Sequence, residues 1–154
     1  MKKTIFDRPV LNELITRIAK LETSSKGRWG KLTAQQMVRH LTEACRIAFD
    51  EVVVPDCSNF LTRSVLKWLF LNNIKPPGRE KGKIKTFAEV DVVNLNLKVD
   101  SLDVERTKYT TILQRMAHAE TLSLRHPLFG KMDRADWGLL TYAHADYHLT
   151  QFDV

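Results

Sequence analysis

Hydrophobic residues recur at intervals of three and four positions in several stretches of the chain, which is the spacing of one face of an α-helix. The first such helix follows Asp7, a suitable N-cap, and carries Pro9 in its first turn. The second begins at Thr33, whose side chain is placed to form a capping box with Gln36. These signals predict where the first two helices begin.

The second half of the chain carries two further long helical patterns. One runs from about residue 101 to 120 and the other from about 133 to 152, with Asp133 and Asp136 favouring the helix N-terminus. Before them, a segment from about 58 to 71 is helical in pattern and apolar on more than one side. We expect that segment to be either well buried or partly covered by a partner.

The region between residues 75 and 100 lacks the helical pattern. Hydrophobic and polar residues alternate from Val93 to Val99, a period of two that is typical of an extended segment. Because the sequence offers no second strand to pair with it, we expect an extended crossover that packs along the helices. Four long helices with one long connection predict an all-α domain spanning residues 1–154, an antiparallel four-helix bundle.

Size and composition agree with one globular domain. The chain has 154 residues, of which 44% are hydrophobic and 27% charged, and this suffices for a buried core without disulfides. The N-terminus has no apolar run after its lysines, and the longest apolar patch is too short to span a bilayer, so we expect a cytoplasmic protein. Cys45 and Cys57 form no spaced motif and are expected to be free thiols, with Cys45 buried.

The net charge of +6 permits an anionic partner without identifying one. Five basic residues crowd the segment 75–85, which also holds two prolines and two glycines and is therefore predicted to be a loop. We interpret it as a solvated loop, with a lid or rim that attracts an acidic substrate as the alternative. Nucleic-acid binding is the least favoured interpretation, because neither interleaved aromatic residues nor a binding motif accompanies the charge.

Two histidines near the C-terminus, His144 and His148, are four residues apart and therefore lie on one face of the last helix. They share that face with Trp137 and Phe152, and His40 lies on the apolar side of the second helix, so all three histidines point inward. Facing side chains on neighbouring helices of a bundle can build a metal site. Three imidazole ligands that leave coordination positions open are typical of a catalytic metal.

Packing is the alternative role for these histidines. A lone inward-facing histidine such as His40 is more often a core residue whose ring finds a hydrogen-bond partner. Two adjacent buried imidazoles are costly to leave without partners, however, and a metal ion satisfies both. Of the remaining histidines, His118 is expected to face solvent. His126 precedes a proline and is expected to shape a turn, with a role at the mouth of the site as its alternative.

Three strings of residues resemble a known group of proteins. Residues 29–41 (WGKLTAQQMVRHL) look like the metal-ligand helix of the DinB/YfiT-like superfamily of metalloenzymes, and residues 144–152 (HADYHLTQF) look like its second ligand element. Residues 126–131 (HPLFGK), followed by the Trp137-Gly138 pair, resemble an uncharacterised branch of that superfamily with a domain of unknown function.

The resemblance implies a four-helix bundle, often a homodimer, that holds a divalent metal through one histidine of helix two and two of the last helix. Carried over by position, these ligands are His40, His144 and His148, and zinc and nickel are the metals we expect first. Superfamily members with known chemistry are thiol-dependent transferases and isomerases. The resemblance therefore implies a small-molecule substrate and a low-molecular-weight thiol, such as bacillithiol or mycothiol, as cosubstrate.

Two functions follow from the sequence. The leading hypothesis is a metal-dependent enzyme, either a thiol-dependent S-transferase or a hydrolase, in which the ion activates a thiol or water. The alternative is a non-catalytic helical bundle that binds a metal or a small ligand and acts through dimerisation.

No general base is evident in the sequence. Glu43, one turn from His40, and Tyr147, one turn from His144, are candidates for orienting a ligand or the substrate. A surface or packing role is the alternative for both. Asp146 is expected to project to the opposite face of the helix and to be solvated.

Overall fold

A computed structural model describes residues 2–73 and 86–154 of the chain. Within these ranges the protein is mostly helical, with a π-helix (Thr62–Leu66), a short 3-10 helix (Ala88–Val90) and five α-helices: α1 (Arg8–Ala19), α2 (Ala34–Ile47), α3 (Lys67–Leu71), α4 (Leu102–His118) and α5 (Arg134–Gln151). The hairpin between α4 and α5 forms a small antiparallel sheet of two strands, β1 (Arg125–His126) and β2 (Gly130–Lys131).

The residues predicted as N-caps occupy that position in three helices, and two of them, Thr33 and Asp133, cap through their side chains. Asp7 is the N-cap of α1. Thr33 accepts a hydrogen bond from the backbone N–H of Gln36, whose side chain accepts one from the backbone N–H of Thr33, so the capping box of α2 is complete. Asp133 caps α5 in the same way, accepting from the backbone N–H of Asp136 at 2.8 Å. These bonds satisfy backbone donors that have no partner within the helix.

The core lies between the four longest helices, which contact one another in cyclic order. Helix α4 packs on α1 and α2, α5 also packs on α1 and α2, and the contact between α2 and α4 is the most extensive. Each of the four helices contributes large side chains that are fully buried: Leu14, Ile18, Met37, Leu41, Leu113, Met116 and Leu149. Burial of these apolar side chains is the main source of stability.

The N-terminal segment packs directly against α5 at Gly138. The backbone N–H of Ile5 donates to the carbonyl of Gly138 at 3.3 Å. A Cβ atom at this position would overlap the side chains of Thr4 and Phe6, so the close approach requires glycine. In the Trp137-Gly138 pair, the glycine therefore allows the N-terminal segment to pack closely against α5.

The segment predicted to form a helix over residues 58–71 is helical from residue 60, but it is not a regular α-helix, because a π-helix precedes α3. Four of its large apolar side chains are exposed, with Phe60 at 87%: Phe60, Leu61, Val65 and Trp68. Of the two expectations for this segment, burial within the chain is therefore wrong for those side chains. Cover by a partner stays a prediction.

The extended conformation predicted from Val93 to Val99 is wrong for its first half, because residues 92–96 form turns. The Asp91 carboxylate accepts hydrogen bonds from the backbone N–H groups of Val93 and Asn94, at 3.1 and 3.0 Å. An aspartate that bonds to the backbone two and three residues ahead stabilises a turn. This local interaction outweighs the alternating pattern of the sequence.

Cys45 is buried and Cys57 exposed, and both are free thiols, as predicted. Burial raises the pKa of the Cys45 thiol to about 12. No helix in the described part of the chain is long and apolar enough to cross a membrane. The basic segment 75–85, interpreted as a loop, lies outside the described residues.

Candidate metal centre

His40 of α2 lies beside His144 and His148 of α5, and one ring nitrogen of each comes within 4.8 Å of the other two. The Nε2 atoms of His40 and His144 are 3.1 Å apart, although these residues are separated by 104 positions in the sequence. Two nitrogen ligands at about 2.0–2.1 Å from a tetrahedral zinc ion are roughly 3.3 Å apart. The three rings are therefore close enough to bind one metal ion together.

The ring of His148 is oriented by Gln151. Nδ1 of His148 lies 2.9 Å from Oε1 of Gln151, and the amide nitrogen of the same side chain donates to the carbonyl of Trp29. Because the amide oxygen can only accept, Nδ1 of His148 carries the proton and Nε2 keeps its lone pair. The lone pair is the part of the ring that can bind a metal.

His40 is buried in the core, and its environment favours the neutral form. Burial lowers the pKa of His40, while a weaker opposing effect comes from a hydrogen bond with the backbone of Val90. Val90 is itself buried, in the short 3-10 helix. A neutral imidazole is the form that binds a metal, so His40 is suited to be a ligand at neutral pH.

The Trp29-Gly30 pair forms a loop that holds residues of α5 next to the site. The indole Nε1 of Trp29 donates to the hydroxyl of Tyr147 at 2.9 Å, and the Tyr147 ring lies 4.9 Å from that of His148. Gly30 has φ of +81°, and a Cβ atom there would lie 2.6 Å from Nε2 of Gln151. Both the backbone conformation and the close approach require glycine.

The three histidines form part of the wall of a cavity of about 260 Å³. Apolar side chains make up most of the remaining wall, among them Leu32, Leu41, Phe87, Val90, Leu128, Phe129, Trp137 and Leu140. Lys31 is the one charged residue in the described lining, and it is exposed. The cavity therefore suits a small molecule that is largely apolar.

Glu43 lies one turn from His40, as the sequence implies, but its carboxylate belongs to a charged cluster. It is 3% exposed and lies 2.7 Å from the guanidinium of Arg39 and 2.9 Å from that of Arg46. Arg39 also lies 3.8 Å from the buried carboxylate of Glu105 on α4. A role for Glu43 in orienting a ligand stays a prediction, as does the same role for Tyr147.

Four further side chains on α4 and at α5 differ in exposure. His118 is exposed, as predicted. Trp137 and Phe152, which share the histidine face of the last helix in the sequence, are buried at 3% and 4% exposure, and Trp137 also lines the cavity. Asp146 lies outside the described lining of the cavity, in agreement with its expected position on the opposite face, but the expectation that it is solvated is wrong, because α1 packs on α5 there. The Asp146 carboxylate is half-buried and pairs with the Arg17 guanidinium at 2.8 Å.

His126 belongs to β1 and lines the same cavity as the three histidines. Its Nδ1 accepts hydrogen bonds from the backbone N–H groups of Leu128 and Phe129, at 3.2 and 3.3 Å. The prediction that His126 shapes the turn is therefore confirmed. Burial lowers the pKa of His126 to about 4, and the nearby Lys67 cation acts in the same direction.

Gln151 and Val90 belong to the site but are not among the residues predicted from the sequence. The sequence does contain a signal for Gln151, because a residue three positions after His148 lies on the same face of the helix and can contact it. Val90 offers no comparable signal, since it acts through its backbone. Residues that act through the backbone can be recognised only from the folded structure.

Comparison with known protein families shows the family of this chain. The family described as "Protein of unknown function (DUF1569)" matches residues 2–154. No curated protein and no solved structure matches the chain. The predicted domain of unknown function is thus confirmed, whereas the DinB/YfiT-like relationship has no support from these comparisons and stays a hypothesis.

Proposed function

The chain belongs to the DUF1569 family, and we propose that it is a divalent-metal-dependent enzyme whose metal ligands are His40, His144 and His148. The observation that carries the proposal is the convergence of three imidazole nitrogens within 4.8 Å on the wall of a mostly apolar cavity. Zinc and nickel are the ions expected first, because imidazole nitrogen suits both.

The surroundings of the three rings fit such an ion. Histidines that bind metals almost always donate their other N–H group to a carboxylate, a carbonyl or water, which orients the ring. The amide oxygen of Gln151 has this role for His148, and the backbone of Val90 bonds to His40. The bond to Gln151 uses Nδ1 of His148 and leaves Nε2 of that ring for an ion, and Nε2 of His40 is the nitrogen that faces His144.

The proposed reaction is transfer of a substrate group to the sulfur of a low-molecular-weight thiol. Hydrolysis, in which water takes the place of the thiol, is the second proposed reaction. A divalent ion bound by three neutral imidazoles would keep its charge and lower the pKa of a thiol or water at its open positions. In the transfer, sulfur bonds to an electrophilic carbon of the substrate, the leaving group departs with the bonding electron pair, and the thiol proton passes to solvent. The apolar wall would hold the substrate and exclude water from this step.

We extend the proposal to the fold, as a DinB/YfiT-like four-helix bundle. The cyclic contacts of α1, α4, α2 and α5 support it. The three candidate ligands also lie on the second and the last helix, which is the order that the resemblance of the sequence implies.

A non-catalytic protein that binds a metal or small ligand and acts through dimerisation is the second candidate. The observation that favours it is the apolar surface of the helical segment 60–71, where Trp68 is 58% exposed. An exposed cluster of large apolar side chains is a common mark of an interaction surface.

Metal analysis of protein purified without a polyhistidine tag tests the proposal. We expect one equivalent of bound divalent metal per chain and loss of that metal in His144→Ala. His118→Ala is the matched control, because His118 is an exposed histidine away from the cluster, and it should keep the metal. Metal that survives His144→Ala would contradict the site. Thiol consumption with electrophilic substrates, abolished by His144→Ala, then separates the enzyme from the non-catalytic alternative.

A further inference from the structure

We propose that His126 is a substrate-binding residue of this cavity, and that its Nε2–H group donates a hydrogen bond to the carbonyl oxygen of a small uncharged substrate. This inference rests on the proposed function in that both concern one cavity, and it names the substrate class. It does not require the metal, so the two can be tested separately.

The tautomer of His126 is determined by the backbone of its own turn. Nδ1 lies 3.2 Å from the N–H group of Leu128 and 3.3 Å from that of Phe129. Backbone N–H groups can only donate, so Nδ1 must accept and cannot carry the proton. The proton of the neutral ring is therefore on Nε2.

The ring of His126 is held in one orientation. It stacks on Phe129 with centroids 4.7 Å apart and an interplanar angle of 17°, and its edge meets Trp137 at 5.4 Å. The pairing of His126 with Gly130 in the hairpin holds the backbone as well. A donor that is already oriented binds an acceptor with little loss of entropy.

The Nε2–H group of His126 makes no hydrogen bond within the described chain and is the donor proposed to bind a ligand. Both hydrogen bonds of His126 within the described chain are made by Nδ1. The residue is 9% exposed and lines the cavity. Nε2 is not among the fully buried polar atoms that lack a partner, so it keeps accessible surface, and an acceptor atom of a molecule in the cavity would complete its hydrogen bonding.

The charges around the cavity define the substrate class. Its described lining contains no carboxylate and no guanidinium, and Lys31 lies at its exposed side. In the metal-free cavity, moving an ion from water into such surroundings without a counter-charge is costly. An uncharged molecule with one carbonyl-type acceptor and an apolar body matches both the apolar walls and the Nε2–H donor of His126.

Two variants of His126 separate substrate binding from support of the hairpin. In His126→Asn the side-chain oxygen can still accept from the two backbone N–H groups, as in an Asx turn, but asparagine is too short to place a donor where Nε2 lies. In His126→Gln the amide reaches toward the Nε2 position and the acceptor near the backbone is lost. The first variant therefore removes the proposed function while keeping the turn.

Binding of a matched pair of probes provides the test. Acetophenone and α-methylstyrene have the same shape and differ in a carbonyl oxygen against a methylene group. Their dissociation constants are measured with untagged, chelator-treated protein by following the indole N–H signals of Trp29 and Trp137, which line the cavity. We expect His126→Asn to weaken acetophenone about three- to tenfold, the effect of one neutral hydrogen bond, and to leave α-methylstyrene unchanged.

Several results would overturn the inference. These are equal changes for both probes, no change for either, and no saturable binding of acetophenone. Nitrogen NMR of the unmodified protein adds a test that needs no variant: we expect the Nε2–H tautomer of His126 at neutral pH, and the Nδ1–H tautomer would refute the argument. Since all measurements are made without metal, a failure here leaves the metal proposal standing, and the reverse holds too.

Discussion

Oε1 of Gln151 lies 2.9 Å from Nδ1 of His148, so a residue outside the proposed ligand set determines which nitrogen of His148 faces the cluster. The amide nitrogen of Gln151 donates to the carbonyl of Trp29, and its backbone carbonyl accepts from the N–H group of Arg28 at 2.8 Å. The loop before α2 is thereby joined to the end of α5. The orientation of one candidate ligand depends on that junction.

Replacement of Gln151 is expected to weaken metal binding without removing a ligand. Methionine has a similar length but cannot accept a strong hydrogen bond from Nδ1 of His148, so Gln151→Met leaves the ring free to turn. We expect a loss of metal affinity of about 10- to 100-fold, the usual effect of removing such a supporting residue. Competition with a chelator of known affinity measures it.

Two further variants act as controls for this prediction. Gln151→Glu keeps an acceptor for His148 while losing the donor to Trp29, and we expect it to keep most of the metal affinity. Gly30→Ala places a methyl group 2.6 Å from the Gln151 amide nitrogen and should lower metal affinity less in the Gln151→Met background than in the unmodified protein, because only the backbone strain at φ of +81° is common to both. Unchanged affinity in Gln151→Met would show that the hydrogen bond does not support the site.

The stability of the protein should fall in mildly acidic solution because of His126. Its folded-state pKa of about 4 lies below the value of about 6.5 for an unfolded histidine. The folded state therefore binds fewer protons between these values. The contribution to stability is fully present above pH 6.5 and is lost as the pH falls to about 4. The total effect is roughly 2–4 kcal/mol at 1.36 kcal/mol per unit of pKa difference.

His126→Asn should abolish this part of the pH dependence. Urea unfolding at pH 7 and at pH 4.5 measures the change, and the free energy of unfolding of the variant should decrease less between the two. The comparison with the unmodified protein cancels other groups that titrate in the same range. Equal decreases in both proteins would mean that His126 is not buried in its neutral form.

The dimer expected from the sequence should form through the apolar surface of residues 60–68. Leu61→Glu and Trp68→Glu place a charge where these side chains are 61% and 58% exposed. We expect both variants to be monomeric by light scattering, with thermal stability of the monomer little changed because the side chains are outside the core. Leu124→Glu is the matched control, since Leu124 is 73% exposed elsewhere. A monomeric unmodified protein would refute the prediction.

Local sequence signals predicted much of the helical structure. The Thr33–Gln36 capping box and the Asp133 cap act within one turn, so the residues involved are near one another in the chain. The inward faces of His40 and of the His144–His148 pair also follow from helical periodicity alone. The three candidate metal ligands can therefore be identified from the sequence alone.

Sequence patterns gave wrong predictions in two situations. In one, a side-chain hydrogen bond competed with the pattern, and in the other, packing between helices determined the environment of the residue. The alternation after Val93 predicts an extended chain, but the Asp91 carboxylate draws residues 92–96 into turns. Asp146 has the pattern of a solvated residue, and the packing of α1 places Arg17 beside it. Periodicity describes one element at a time and says nothing of its neighbour.

By itself, the sequence determined where helices begin, which faces are apolar and that three histidines point inward, because caps and helical periodicity are interactions within a few residues. Only the tertiary structure decided that His40 meets His144 across 104 positions and that Gln151 meets the carbonyl of Trp29 across 122. It also decided that His126 joins the same cavity as a neutral donor. These features depend on how helices and loops that are distant in the sequence pack together. Hydrogen bonds to backbone groups also do not require a particular amino acid, so they cannot be recognised from the sequence.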